Sequence, residues 1–254
     1  MSPFAVIGLG AVAGGTIFLG LPFARLKNPP RTLQGFLNAI AIGILFFLLY
    51  DVLSNAIAPV NIALQHRITG TFIVDLVALI GGLTIGLLGL VAFEQRFLRR
   101  DGRDGPTGVT LGYMIATGIG MHNFAEGLAI GQAATSGVLQ LAVLLIIGFG
   151  LHNMTEGFGI AAPLGGNASW RFIALAGLIG GGPTFLGTLI GVAFHAALVY
   201  ILFLALAAGS IIYVLSQLLP LLRRAQAHEL VMAGLIVGFT VAYGTDLVLV
   251  AAGA

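Results

Sequence analysis

Two short stretches of this chain carry the residues best suited to chemistry. One reads His122-Asn123-Phe124-Ala125-Glu126-Gly127 and the other His152-Asn153-Met154-Thr155-Glu156-Gly157, so the pattern HNxxEG occurs twice, 30 positions apart. A histidine at i and a glutamate at i+4 lie one turn apart on the same helical face. Each helix therefore presents an imidazole beside a carboxylate. Two imidazoles and two carboxylates form a four-ligand set that suits zinc and other first-row divalent ions. The cation in turn neutralises carboxylates that are costly to bury alone. Asn123 and Asn153 stand beside the ligands as candidate carbonyl donors or hydrogen-bonding supports. Met121 reads as packing. The competing reading, a polar cluster that only ties two helices together, leaves the matched His/Glu pairs unexplained.

The elements that position these residues follow from composition. Of 254 residues, 58% are hydrophobic and 8% are charged, whereas a soluble domain carries about a quarter charged residues. No soluble core hides that much apolar surface, so the bilayer is the solvent. The net charge of +2 matters through its placement and gives no argument for nucleic acid. The chain has no cysteine, which excludes disulfides and thiolate metal sites. Its 38 glycines suit close helix packing in lipid. No basic residue precedes the first apolar run, so the N-terminus does not read as a cleaved signal.

A membrane helix needs about 20 mostly apolar residues. Eight spans are predicted, at roughly 4–24, 34–58, 69–97, 109–134, 138–163, 172–194, 197–220 and 230–252, forming a single transmembrane domain over 1–254. The break between the sixth and seventh has no polar loop to mark it. With the N-terminus outside, the inner side holds Arg25, Lys27, Arg31, Arg96, Arg99, Arg100, Arg103, Arg171, Arg223 and Arg224, and the outer side holds only Arg67. That asymmetry follows the positive-inside rule and supports eight spans with both termini outside. His122 lies 13 residues into the fourth span, about 20 Å at 1.5 Å per residue. His152 lies at similar depth in the antiparallel fifth span, so the two motifs face each other near mid-membrane. Ionisable residues at that depth are functional by default.

The doubled HNxxEG resembles the fourth and fifth helices of the ZIP (Zrt/Irt-like) family of divalent metal transporters, above all its bacterial branch. GILFFLLYDVLSNA in the second span, LIGGGPTFLGTLIG from Leu178 to Gly191 and AAGSIIYVLSQLLP from Ala207 to Pro220 resemble the family's second, sixth and seventh helices. The resemblance implies an all-α integral membrane fold of eight helices in a 3+2+3 arrangement, with helices 1–3 and 6–8 as inverted repeats about the central pair. It also implies a metal site of His122, Asn123, Glu126, His152, Asn153 and Glu156. The cargo it implies is Zn²⁺, or Fe²⁺, Mn²⁺, Cd²⁺ or Co²⁺, moved into the cytoplasm as transported substrate and not held as a cofactor.

Departures from the family pattern carry their own expectations. Ala125 and Thr155 replace the motif prolines, so both helices should be less kinked. Gly182 stands where the sixth helix of the family has a glutamate that helps hold a second metal, and Gln217 is the polar residue nearest the acid common in the seventh. One metal site is therefore expected. No histidine lies in the loop between the third and fourth spans.

Asp51, Asp75, Asp246, His66 and His195 are all expected near the outer ends of their helices. Asp51 is the candidate for a cation-concentrating entrance. Glu94, Asp101, Asp104, His228 and Glu229 read as solvated inner residues beside arginines. The leading expectation is a transporter in which one block of helices moves against another. The alternative is an intramembrane zinc-dependent hydrolase, disfavoured because both carboxylates serve as ligands and none is spare as a base. Expected partners are divalent metal ions and the lipid bilayer of a prokaryotic inner membrane. No nucleic acid is expected, and a homodimer is left open.

Overall fold

In lipid the backbone must satisfy its own hydrogen bonds, and long apolar runs do so as helices. The computed structural model describes residues 3–25, 30–98, 108–135, 150, 152–166, 168–193, 197–223 and 227–251. Lys27, Arg99, Arg100, Asp101, Arg103, Asp104, His195 and Arg224, with positions 138–149 of the predicted fifth span, lie outside the described residues.

Eight helices follow in order. Helix α1, Pro3–Gly15, passes through Thr16 into a short helical stretch, Ile17–Gly20, and a 3-10 turn, Leu21–Arg25. Then come α2, Arg31–Gln65, and α3, Thr69–Phe93, which ends in a π-helical turn, Glu94–Leu98. The motif-bearing pair is α4, Gly108–Thr135, and α5, residues 152–161. The chain closes with α6, Trp170–Ala193, α7, Ala197–Arg223, and α8, His228–Ala251. Among the described residues, six segments are long and apolar enough to cross a membrane, namely those of α1, α2, α3, α6, α7 and α8.

Helix α2 is longer than the sequence suggests. Its 35 residues span about 52 Å at 1.5 Å per residue, against a hydrocarbon layer of about 30 Å. Pro59 lies inside it without ending it. One turn before the proline, Asn55 Nδ2 donates to the Asp51 carbonyl at 3.0 Å and to its carboxylate at 2.8 Å. Asp51 is thus 14 residues short of Gln65, and the expectation that it sits near the helix end is corrected. Asp75 is buried, six residues into α3.

Glycine contacts divide the helices into two groups. A Cβ at Gly14, Gly20, Gly120, Gly127, Gly157, Gly181 or Gly187 would run into the backbone of a neighbour among α1, α4, α5 and α6. A Cβ at Gly43, Gly82, Gly86, Gly209, Gly234 or Gly238 would meet backbone or side chain within α2, α3, α7 and α8. Among the described helical glycines, only Gly118 of α4 meets the other group, and there it meets first the Ser210 side chain of α7, with the Ile211 backbone nitrogen further off at 3.9 Å. Each group is therefore welded backbone to backbone, while among the described residues the seam between them is made chiefly of side chains. Phe124 stacks on Phe203 across it, ring centroids 4.3 Å apart.

The register of these contacts shows the inverted repeat directly. Gly20 approaches the Met154 carbonyl and Gly187 the Phe124 carbonyl; Gly157 approaches Ile17 and Gly127 approaches Thr184. Each pair maps onto its counterpart by a shift of 167 from α1 to α6 (187 − 20, 184 − 17) and 30 between α4 and α5. Likewise Gly43 against Leu235 matches Gly209 against Leu83, and Gly238 against Ile40 matches Gly86 against Leu206. The shifts there are 166 from α2 to α7 (209 − 43, 206 − 40) and 152 from α3 to α8 (235 − 83, 238 − 86). The expected 3+2+3 architecture is present contact by contact.

Candidate metal centre

His122 is near the centre of α4, and Ala125, in the place of a proline, leaves that helix α-helical from Gly108 to Thr135. In α5, the Thr155 hydroxyl donates to the His152 carbonyl at 2.7 Å, so that carbonyl is engaged. In α4 the alanine keeps the backbone N–H that a proline would remove.

The asparagines fix the two helices by equivalent bonds. Asn123 Nδ2 donates to the Gly180 carbonyl of α6 at 3.0 Å, and Asn153 Nδ2 to the Ala13 carbonyl of α1 at 3.1 Å. The acceptors differ by 167 positions (180 − 13), the same shift as the glycine contacts. With each amide nitrogen engaged, the oxygens Oδ1 of Asn123 and Asn153 are left buried without a hydrogen-bond partner.

His122, His152 and Glu156 bring one ligand atom each within 4.8 Å of one another. The imidazole centroids are 5.8 Å apart. Glu126 stands outside that trio but against it, with Oε1 3.3 Å from His122 Nε2, while Glu156 Oε1 is 3.6 Å from His152 Nε2. All four side chains are at most 5% exposed. Both ring nitrogens of His122, Nε2 of His152, Oε2 of Glu126 and both carboxylate oxygens of Glu156 are buried with no hydrogen bond. Leaving so many polar atoms unsatisfied carries a cost of about 1–3 kcal/mol for each group. Most of them are acceptors, and a divalent cation satisfies several acceptors at once. The donor set therefore fits a metal such as zinc.

The second group of helices closes the site. Phe47 of α2 presents an edge to His152, centroids 6.5 Å apart. The hydroxyl of Thr245 in α8 lies 3.4 Å from His152 Nδ1. Sequence reading gives no site role to Phe47, Thr245, Ala13 or Gly180. The first two come from distant helices, and the last two act through backbone carbonyls that any residue carries.

The remaining polar residues separate into three cases. Asp51 is within electrostatic reach of His122, and Asp246 of both Asp51 and Glu126, so these carboxylates gather beside the site. Glu94, read from sequence as solvated, is instead 4% exposed and accepts a 2.7 Å hydrogen bond from the Tyr213 hydroxyl. The π-helical turn tucks its side chain inward against α7. His66, His228 and Glu229 are exposed. Met121 packs against the main apolar core. A Cβ at Gly182 would meet open space.

An all-helical, multi-pass membrane protein with a buried His/Glu cluster between its two central helices is thereby defined. A sequence model of the ZIP zinc transporter family matches residues 99–245, more than half of the chain, from the start of the segment before α4 to Thr245 in α8. The chain belongs to the ZIP zinc transporter family, whose members move zinc and related divalent metals across membranes and are not enzymes. The intramembrane hydrolase reading is accordingly set aside. No curated protein matches the chain.

Proposed function

We propose that this protein carries Zn²⁺, or a related divalent ion, into the cytoplasm of a prokaryotic cell across its inner membrane, binding it between α4 and α5. The convergence of unpartnered buried ligand atoms from His122, His152 and Glu156 supports this reading most strongly. Glu126 and the Oδ1 atoms of Asn123 and Asn153 are the adjacent oxygens that complete coordination or receive the ion as it moves. Metal and protons compete for the same atoms, so the site gives up its ion by protonation as well as by movement.

Asp51 and Asp246, gathered beside the site, attract cations towards it. The basic end carries Arg25, which donates to the Ala168 carbonyl at 3.3 Å and lies 4.5 Å over the Trp170 ring, next to Arg171. That end is assigned to the cytoplasmic face by the positive-inside rule, with both termini outside. The side-chain seam is where the two groups of helices shift to expose the site to each side in turn. A single transmembrane domain suffices for this cycle, whether the chain acts alone or as a homodimer.

The test is uptake of Zn²⁺ by liposomes containing the purified protein and an internal metal-sensitive dye, beside folded His122→Ala and Glu156→Ala. Inward flux lost in both variants is expected. Undiminished flux in either would remove the two-helix site, and metal binding without flux of any divalent ion would remove transport through it.

A further inference from the structure

The internal repeat makes the two metal-site histidines equivalent in sequence and backbone, but their surroundings differ in the partner of one ring nitrogen. His122 has neither ring nitrogen hydrogen-bonded, whereas His152 lacks a partner only at Nε2. The difference is the Thr245 hydroxyl, 3.4 Å from His152 Nδ1. Applying the α3-to-α8 shift of 152 seen in the glycine contacts, the counterpart of Thr245 is Phe93, which has no hydroxyl to offer His122. Thr245 is therefore a place where the repeat is broken at the metal site.

The direction of the bond can be worked out. A threonine hydroxyl has one hydrogen, and Thr245 Oγ1 gives it to the Ala242 carbonyl at 2.7 Å, closer and within its own helix. Towards His152 it can only accept. Nδ1 must then carry the proton, and Nε2 is left with its lone pair, on the side where Glu156 Oε1 lies 3.6 Å away. Metal-ligating histidines are oriented in the same way, the second ring nitrogen donating to a supporting acceptor that fixes tautomer and ring angle.

We infer that Thr245 is a positioning residue that holds His152 as the Nδ1-protonated tautomer with Nε2 aimed at the metal, making His152 the preset ligand and His122 the adaptable one. The contact crosses from α8 to α5, between the two groups of helices, so relative movement of the groups loosens the hold on His152 and lowers its grip on the ion. Affinity is thereby tied to conformation without any change in the ligands themselves.

This inference rests on the metal-site reading above, and its test separates the two. Purified full-length protein labelled with ¹⁵N-histidine, its His152 signals assigned by His152→Ala, reports which ring nitrogen is protonated in the absence of metal. Competition titration with a zinc chelator reports affinity. In the wild type and in Thr245→Ser, Nδ1 should be protonated and Nε2 bare. Thr245→Val, close to isosteric, should lose that single tautomer and weaken Zn²⁺ binding by about 10- to 100-fold, with Thr245→Ser restoring most of it. A Thr245→Val protein with wild-type ring signals and affinity, or a Thr245→Ser protein as weak as the valine variant, would overturn the role of Thr245. If His152→Ala itself binds Zn²⁺ as the wild type does, the metal-site reading fails and takes the inference with it.

Discussion

Tyr213 of α7 donates a 2.7 Å hydrogen bond to Glu94 at the end of α3, with the two side chains 2% and 4% exposed. By the shifts of 166 and 152 that relate the repeats, the counterparts of this pair are Phe47 and Asp246. One half of the molecule thus caps its carboxylate with a phenol, and in the other half Phe47 has no hydroxyl to offer the partly buried Asp246. Tyr213→Phe removes the hydroxyl while keeping the ring. The expected loss is about 1–3 kcal/mol, read as a lower thermal midpoint of the purified protein in detergent, while Phe47→Leu should leave Glu94 unaffected.

The glycine contacts predict sharply different outcomes for one chemical change. Gly181→Ala drives a methyl group into the Gly14 carbonyl, whereas a Cβ at Gly89 meets nothing within 4 Å. Gly181→Ala should abolish recovery of monodisperse protein or lower its midpoint severely. Gly89→Ala should be neutral or stabilising by about 0.5–1 kcal/mol, the usual helical preference for alanine. Equal behaviour of the two variants in size-exclusion and thermal melts would contradict the packing described.

Asn123 and Asn153 make equivalent bonds to α6 and α1, so their alanine variants should fail in the same way. Loss of each anchor is expected to raise the Zn²⁺ concentration for half-saturation by about tenfold or more, as for other supporting residues of metal sites. Direct titration of binding checks this separately from flux.

Imidazoles and carboxylates bind metal only when deprotonated, and metal binding releases their protons. Protonation favours the empty site, so the apparent affinity should fall as pH is lowered from about 7.5 to 5.5, a range that spans the ordinary histidine pKa of about 6.5. Zn²⁺ titrations across that interval, with proton release followed in weak buffer, check the sign. A flat profile with no release would contradict binding by these groups.

On the proposed reading, Asp51 and Asp246 attract the ion before it is fully bound. Asp51→Asn and Asp246→Asn should raise the half-saturating Zn²⁺ concentration for uptake while leaving the maximal rate close to wild type. The effect should shrink as ionic strength rises, because attraction to an accessible carboxylate is screened by salt. A fall in maximal rate at saturating zinc would instead place either residue in the transport step.

The candidate site is legible in the sequence because its signal is both rare and doubled. A His/Glu pair on one helical face inside apolar sequence is uncommon, and HNxxEG at 122 and 152 states it twice. The helices were legible for the same reason that they form, since apolar runs in lipid have no alternative to internal hydrogen bonding. What stayed hidden depends on contacts between distant segments. Glu94 sits beside the arginine-rich stretch after α3 and looks solvated until the π-helical turn carries it under Tyr213. Helix α2 runs seven residues past the predicted end at 58, to Gln65, with Pro59 inside it and the Asn55 side chain bonded back to Asp51. Ala13 and Gly180 contribute only carbonyl oxygens, which no side-chain pattern reveals.

The side-chain seam has a practical consequence for observing the cycle. Its partners are not fused through their backbones, and the chain has no native thiol, so every cysteine introduced along it is an unambiguous reporter. Phe124 and Phe203, stacked across the boundary, are a natural pair of attachment points for cross-linkers of graded length. A short tether there would arrest the protein in the arrangement described, and progressively longer ones would serve as a ruler for how far one half must travel before an ion is delivered.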